Sequence, residues 1–116
     1  MRISMPRGDI RNVPFEVVNE DDSPCETNFD EIIMTCKKCY KDSNVLFQKK
    51  LSRGEIMKLD VGQYEYKIMP SDTENLTIGD YEFDIVIFYQ NEIKQTTCGT
   101  LTLTKDVTHA ADEVST

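Results

Sequence analysis

The fold is decided by one stretch, Asp72-Thr73-Glu74-Asn75-Leu76-Thr77-Ile78-Gly79-Asp80-Tyr81, which runs directly into Glu82-Phe83-Asp84-Ile85-Val86-Ile87-Phe88-Tyr89. The second half alternates, so its apolar side chains share one face of a strand and its first acidic side chains share the other. Leu76, Gly79 and Tyr81 at the entrance of this strand are typical of a tyrosine corner, whose ring packs in the core while the hydroxyl bonds upstream backbone. We expect that backbone partner near Asp72 to Leu76, and a positive φ at Gly79.

Six further segments have the length and alternation of strands and are separated by turn residues. They lie at about Val13–Val17, Ile32–Lys37, Val45–Lys49, Ile56–Leu59, Tyr64–Ile68 and Lys94–Thr104. Together they predict an all-β, immunoglobulin-like antiparallel β-sandwich of about seven strands, forming a single domain over residues 1–116. One helical turn is expected within Ser71–Leu76. Residues 105–116 lack a core pattern and are expected to form a flexible tail.

The charge of the chain excludes several classes of partner. The formal net charge is −8 at pH 7, whereas binding to nucleic acid or to anionic lipid requires a basic surface. No apolar run approaches the roughly 18 residues of a membrane span. The first residues contain no apolar core of a signal peptide, so we expect synthesis in a reducing cytoplasm and free thiols rather than disulfides.

Cys36-Lys37-Lys38-Cys39 is the one motif that suggests a chemical site. With Cys25 and Cys98 it could form a thiolate zinc site, or it could act as a redox pair. However, a second close cysteine pair is missing, and positions 36 and 39 of a strand point to opposite faces. The favoured interpretation is that Cys36 is a small buried apolar residue. A metal-binding or redox module built on Cys36 and Cys39 remains the alternative.

No other pattern indicates catalysis. His109 is the single histidine and falls in the predicted tail, away from any recognisable nucleophile. The carboxylates are spread over turns and outward strand positions, where they favour solubility rather than acid–base chemistry. No glycine-rich loop is suited to phosphate. We therefore expect a protein that is not an enzyme and has no cofactor and no small-molecule substrate.

A family resemblance runs through nearly the whole chain as a set of short motifs in a consistent order. These motifs are Arg7-Gly8-Asp9, Met34-Thr35-Cys36-Lys37-Lys38, Leu46-Phe47-Gln48-Lys49, Gly62 with Tyr64, Asp72 to Ile85 with its Leu76, Gly79 and Tyr81, and Gly99-Thr100-Leu101-Thr102-Leu103. The chain resembles the immunoglobulin-like domains of tailed-phage and prophage structural proteins and is similar to the N-terminal domain of phage baseplate upper proteins. The resemblance implies a non-catalytic virion protein, in the tail, baseplate or head, that is made in the bacterial host cytoplasm and docks on other virion proteins.

Three apolar residues lie on the face of their strands that should meet solvent. Val86 and Phe88 follow Glu82 and Asp84 on the outward face of the long strand, and Ile33 lies opposite the inward set of its own strand. In the usual sandwich order these two strands are neighbours, which would gather Ile33, Val86 and Phe88 into one patch. Clustered exposed apolar residues usually mark an interaction surface. We expect this patch to contact a second copy or a virion neighbour, unless the tail covers it.

Overall fold

The computed structural model describes residues 1–105. Its eight strands are β1 (Arg2–Pro6), β2 (Arg11–Glu16), β3 (Glu31–Lys37), β4 (Phe47–Lys50), β5 (Ile56–Asp60), β6 (Gln63–Ile68), β7 (Gly79–Tyr89) and β8 (Glu92–Thr104). A 3₁₀ turn (Leu51–Arg53) follows β4, and a one-turn helix, α1 (Pro70–Thr73), precedes β7. Neither is long or apolar enough to cross a membrane, and the same holds for every helix in residues 1–105.

Two sheets pack face to face, which confirms the predicted all-β sandwich. The larger sheet has the order β1-β8-β7-β3-β4, and the smaller has the order β2-β6-β5. This is the immunoglobulin-like arrangement, with β2, β6 and β5 in the places of strands B, E and D and β3, β7 and β8 in those of C, F and G. The core lies between the sheets, where the inward residues of every strand are buried.

The first strand corrects the predicted count and direction. About seven antiparallel strands were expected, but β1 is an eighth and runs parallel to β8, with Arg2 opposite Thr100 and Pro6 opposite Thr104. Only Ile3 and Met5 of β1 face the core. A strand with two inward side chains gives too short an alternation to be distinguished from a loop. Of the predicted tail, only Lys105 is described, and it is exposed; residues 106–116 lie outside the described residues.

The corner before β7 joins the two sheets. The Tyr81 ring is buried, and its hydroxyl donates to the carbonyl oxygen of Thr77 at 2.6 Å. The bonded carbonyl is one residue beyond the range expected from the sequence. Gly79 has φ 141°, and Leu76 packs half-buried against the core. The arrangement fixes where β7 enters its sheet, because a buried hydroxyl bonded to backbone allows one position of the ring.

A buried ion pair ties the edge strand β4 to helix α1. Lys49 points inward from β4, and its Nζ lies 2.7 Å from Oδ2 of Asp72. The two side chains are only 9% and 15% exposed. Asp72 Oδ2 also accepts a hydrogen bond from the backbone nitrogen of Met69 at 2.8 Å. The helical turn is therefore held against the end of the larger sheet, whose outer face carries the candidate site.

Candidate docking surface

The pairing of β3 with β7 brings the three predicted interface residues together. Ile33 lies directly opposite Val86, and Phe88 is two residues further along β7. All three are half-buried and face away from the core. Ile93 of β8 lies directly opposite Phe88 and is 62% exposed. These four residues form the apolar patch at the hairpin end of the larger sheet.

Ile93 was missed by the sequence analysis because the β7–β8 hairpin is irregular. Its turn contains Gln90 and Asn91, both at positive φ, and a bulge shifts the register between Ile87 and Phe88. The bulge breaks the alternation of β8 just where the patch lies. The strand was accordingly predicted to begin at about Lys94, two residues too late. The turn-forming pair Gln90-Asn91 was the signal that could have placed Ile93 on the patch.

Charged residues border the patch on the β3 and β4 side. Glu31 lies opposite Phe88, and Lys50 lies opposite Ile33. Burial acts to raise the pKa of the Glu31 carboxyl, but hydrogen bonds from Ser52 and Ile32 outweigh it and hold the pKa below its ordinary value. Glu31 is therefore ionised at neutral pH. An apolar centre with a charged rim is the usual anatomy of a protein–protein contact.

The other half of the same outer face is a cleft of about 620 Å³, lined by both apolar and polar groups. Its walls include two carboxylates, the Lys37 ammonium group, the amino-terminal residue, a threonine hydroxyl, a thiol and a tyrosine; we call it the outer cleft, and these residues are Glu82, Asp84, Lys37, Met1, Thr35, Cys98 and Tyr40. Glu82 and Asp84 precede Val86 and Phe88 on the outward face of β7. The cleft and the apolar patch are therefore consecutive parts of one surface.

The two carboxylates of the cleft differ in their surroundings. Glu82 Oε2 accepts a hydrogen bond from the Tyr40 backbone nitrogen at 2.7 Å, which holds the turn after β3 over the cleft. Asp84 lies between Thr35 and Cys98 on the neighbouring strands. Burial raises the pKa of its carboxyl, and the charge of Lys37 opposes that shift. Within residues 1–105 no hydrogen bond reaches the Asp84 carboxylate.

The cysteines occupy different environments. Cys36 is fully buried between the sheets, and burial, with a smaller contribution from Asp72, raises the pKa of its thiol to about 12. Cys39 is half-buried in the turn after β3, Cys25 is buried before β3, and Cys98 is exposed on β8. Across residues 1–105, no three His, Cys, Asp or Glu side chains are grouped so as to hold a metal ion. His109 lies outside the described residues.

The comparisons with known proteins bear only on the fold of this chain. No family model and no curated protein matches the chain. Among solved structures it is similar to part of an endo-β-1,4-mannanase from Thermotoga petrophila, with a TM-score of 0.56 and 12% identity over 90% of this chain and 18% of the mannanase. A putative glycoside hydrolase from Bacteroides vulgatus gives a TM-score of 0.43 and 15% identity over 90% of this chain and 17% of its own. The chain thus spans less than a fifth of either protein.

Proposed function

We propose that the protein is a non-catalytic docking domain that uses the outer face of its larger sheet. The apolar patch is the observation that carries this proposal. On a strand that faces solvent, the outward positions are ordinarily polar. Here Ile33 with Val86, and Phe88 with Ile93, form two adjacent apolar cross-strand pairs. Contacts of this kind associate through apolar area, and a fully buried isoleucine or phenylalanine side chain contributes about 1.5–3 kcal/mol.

The assembly that we propose for this domain is a phage or prophage virion, in the tail, baseplate or head. The resemblance of the sequence to immunoglobulin-like domains of phage structural proteins supports it. The partner is then a second copy of the domain or a neighbouring virion protein, and the domain is made in the host cytoplasm before assembly. A flat patch with a charged rim suits such a role, because it offers area rather than a deep pocket.

The alternative of a metal-binding or redox module is weaker on chemical grounds. A thiolate is the species that binds zinc or attacks a disulfide. The Cys36 thiol, with its pKa raised to about 12, stays protonated at neutral pH. Cys39 is in the adjoining turn rather than on the same strand face. We therefore assign Cys36 to the packing of the core.

The proposal is tested by association with virions. We expect the wild-type protein to co-purify with particles from an induced lysate of the source bacterium, detected by an antibody raised against the domain. Particles that carry no trace of the protein would contradict the virion assignment. Washing the particles at raised salt removes protein that is adsorbed only through exposed ionic contacts, because salt screens them. Protein bound through the apolar patch should remain.

Phe88→Lys tests the patch itself. A lysine in place of Phe88 removes apolar area and adds a charge that must be desolvated, so we expect the copy number on particles to fall more than tenfold. The matched control is Met57→Lys, which places the same charge on a 58% exposed apolar residue of the smaller sheet. That control should associate as the wild type does. Thermal melts of both variants confirm folding, and a folded Phe88→Lys protein that still loads at the wild-type level would exclude the patch.

A further inference from the structure

The strand β8 has one side that is only partly covered. On its other side β7 pairs with it along nearly its whole length, whereas β1 pairs with it only from Thr100 to Thr104. Within residues 1–105, no strand lies beside residues 92–98 of β8 on the β1 side. We call residues 92–98 the open edge. All of them are exposed apart from Thr97, which is half-buried.

The unpaired backbone groups of the open edge follow from a hydrogen bond at its end. Thr100 donates its backbone N–H to the carbonyl oxygen of Met1 at 3.0 Å, so its backbone groups point to the β1 side. In an antiparallel ladder, every second residue points its N–H and C=O to the same side. Cys98 and Thr96 therefore direct both groups away from β7 and into solvent. Such an edge is a template for another extended strand, which presents donors and acceptors at the matching spacing.

The composition of the open edge differs from that of the four edge strands of the molecule, which are β1, β4, β2 and β5. Proline and lysine on an edge strand oppose pairing with another chain. Each edge strand has one of them, in chain order Pro6, Pro14, Lys50 and Lys58. The open edge has no proline, and its residues 95–98 are uncharged. Its two charges, on Glu92 and Lys94, cancel.

We propose that the open edge pairs with the open edge of a second copy, antiparallel and around a two-fold axis at Thr96. A two-fold contact uses the same segment twice, so an uncharged segment lets two molecules of net charge −8 meet without like charges in contact. Thr96 then exchanges both backbone hydrogen bonds with its copy, and paired threonine side chains add to the stability of a sheet. The overlap ends before Gly99, because Met1 lies beside it.

The pairing would join the two larger sheets into one sheet of ten strands, five from each copy. It uses the backbone edge of β8 rather than the apolar patch, so it goes beyond the proposed function. Thr96 lies opposite Val86 on the outer face. The patches of the two copies would therefore lie on one continuous face, which doubles the surface available to a further partner.

Sedimentation of the full chain over a range of concentrations tests this proposal. We expect the wild type to dimerise and Thr96→Pro to associate at least tenfold more weakly, because proline has no N–H to donate at the axis. Thr96→Ala keeps the N–H and should associate within about threefold of the wild type. Equal dimerisation of a folded Thr96→Pro would overturn the proposal. So would a monomeric wild type, and slow hydrogen exchange of the Thr96 amide in that monomer would assign the edge to residues 106–116.

Oxidative cross-linking tests the register without a proline. Thr96→Cys is combined with Cys98→Ser, which removes the exposed native thiol. At the axis the two Cα atoms would be about 5.5 Å apart, within the range of a disulfide, so we expect a covalent dimer after treatment with oxidised glutathione. Met57→Cys with Cys98→Ser is the control, since Met57 is 58% exposed on the smaller sheet. A covalent dimer in neither protein, or equally in both, would contradict the two-fold pairing.

Salt and the patch variant separate this contact from others. Raised salt screens the repulsion between two acidic molecules, so dimerisation should strengthen. Dissociation at raised salt would indicate an ionic contact and overturn the proposal. Phe88→Lys should still dimerise, so loss of virion docking and loss of dimerisation are separate results. A folded Phe88→Lys protein that is monomeric would assign the dimer to the apolar patch and not to the open edge.

Discussion

Asp72→Asn is expected to lower the free energy of unfolding by about 3–5 kcal/mol, the range for breaking a buried ion pair from one side. The asparagine keeps an oxygen that can accept from the Met69 backbone nitrogen, so the helical turn retains its hydrogen bond. The Lys49 ammonium group, 2.7 Å from Asp72 and only 9% exposed, loses its counter-charge. Its desolvation is then uncompensated, and this accounts for the expected effect.

Urea unfolding at pH 7 measures this effect, and a double-mutant cycle isolates the pair. Lys49→Met alone should cost less, since the remaining carboxylate is more exposed and keeps the Met69 bond. Adding Lys49→Met to Asp72→Asn should recover most of the loss, because the stranded charge is then gone. A loss below about 1 kcal/mol in Asp72→Asn would place the pair with ordinary surface ion pairs.

The ion pair also shows why part of the fold could not be predicted. Lys49 was assigned to a strand that was predicted over Val45–Lys49 and is observed over Phe47–Lys50. A charged residue at an alternating position is ordinarily taken as outward, yet Lys49 faces the core. Its partner lies in a helix beyond two intervening strands. The alternation along a strand indicates which residues share a face, but it does not indicate which residues of separate elements come into contact.

Strands with one buried face and one solvent-facing side could be predicted, because their side chains alternate between the two. β7 keeps Tyr81, Phe83, Ile85 and Ile87 buried, and their period of two could be recognised in the sequence. β1 has only two such residues, and its partner β8 comes from the far end of the chain. Pairing between distant segments depends on the assembled sandwich. The parallel pairing of β1 with β8 could therefore be seen only in the structure.

Of the two halves of the candidate surface, the apolar patch could be predicted from the sequence and the cleft could not. Ile33 and Val86 could be placed together because neighbouring strands put alternate residues side by side. The outer cleft could not be predicted, since one of its walls is Tyr40, whose backbone nitrogen donates a hydrogen bond to the Glu82 carboxylate 42 positions away. Spacing along the chain gives no indication of that contact. The carboxylates themselves were classed as solvent-facing, whereas the structure places Glu82 and Asp84 half-buried.

Gly62→Ala is expected to destabilise the protein by about 3–4 kcal/mol, because strain and steric overlap act together. Gly62 turns β5 into β6 with φ 69°, a conformation in which an L-residue costs about 1–2 kcal/mol. An added Cβ would lie 2.7 Å from the carbonyl oxygen of Val17 and 3.1 Å from the nitrogen of Cys25. Both are buried backbone atoms, joined to each other by a hydrogen bond of 3.0 Å. Overpacking of this kind adds about 1–3 kcal/mol.

Gly54→Ala is the matched control, since Gly54 has nearly the same φ of 74° but no heavy atom within 4 Å of the added Cβ. It should lose only the conformational part, about 1 kcal/mol. The difference in the free energy of unfolding between the two variants measures the cost of the steric overlap, provided that the slopes of urea unfolding are unchanged. This overlap lies where the end of β2, the β5–β6 turn and the segment before β3 meet. Because backbone atoms surround Gly62, no rotamer change can relieve the contact. Equal losses in the two variants would mean that these three segments separate readily, and the packing described at that end of the sandwich would then be wrong.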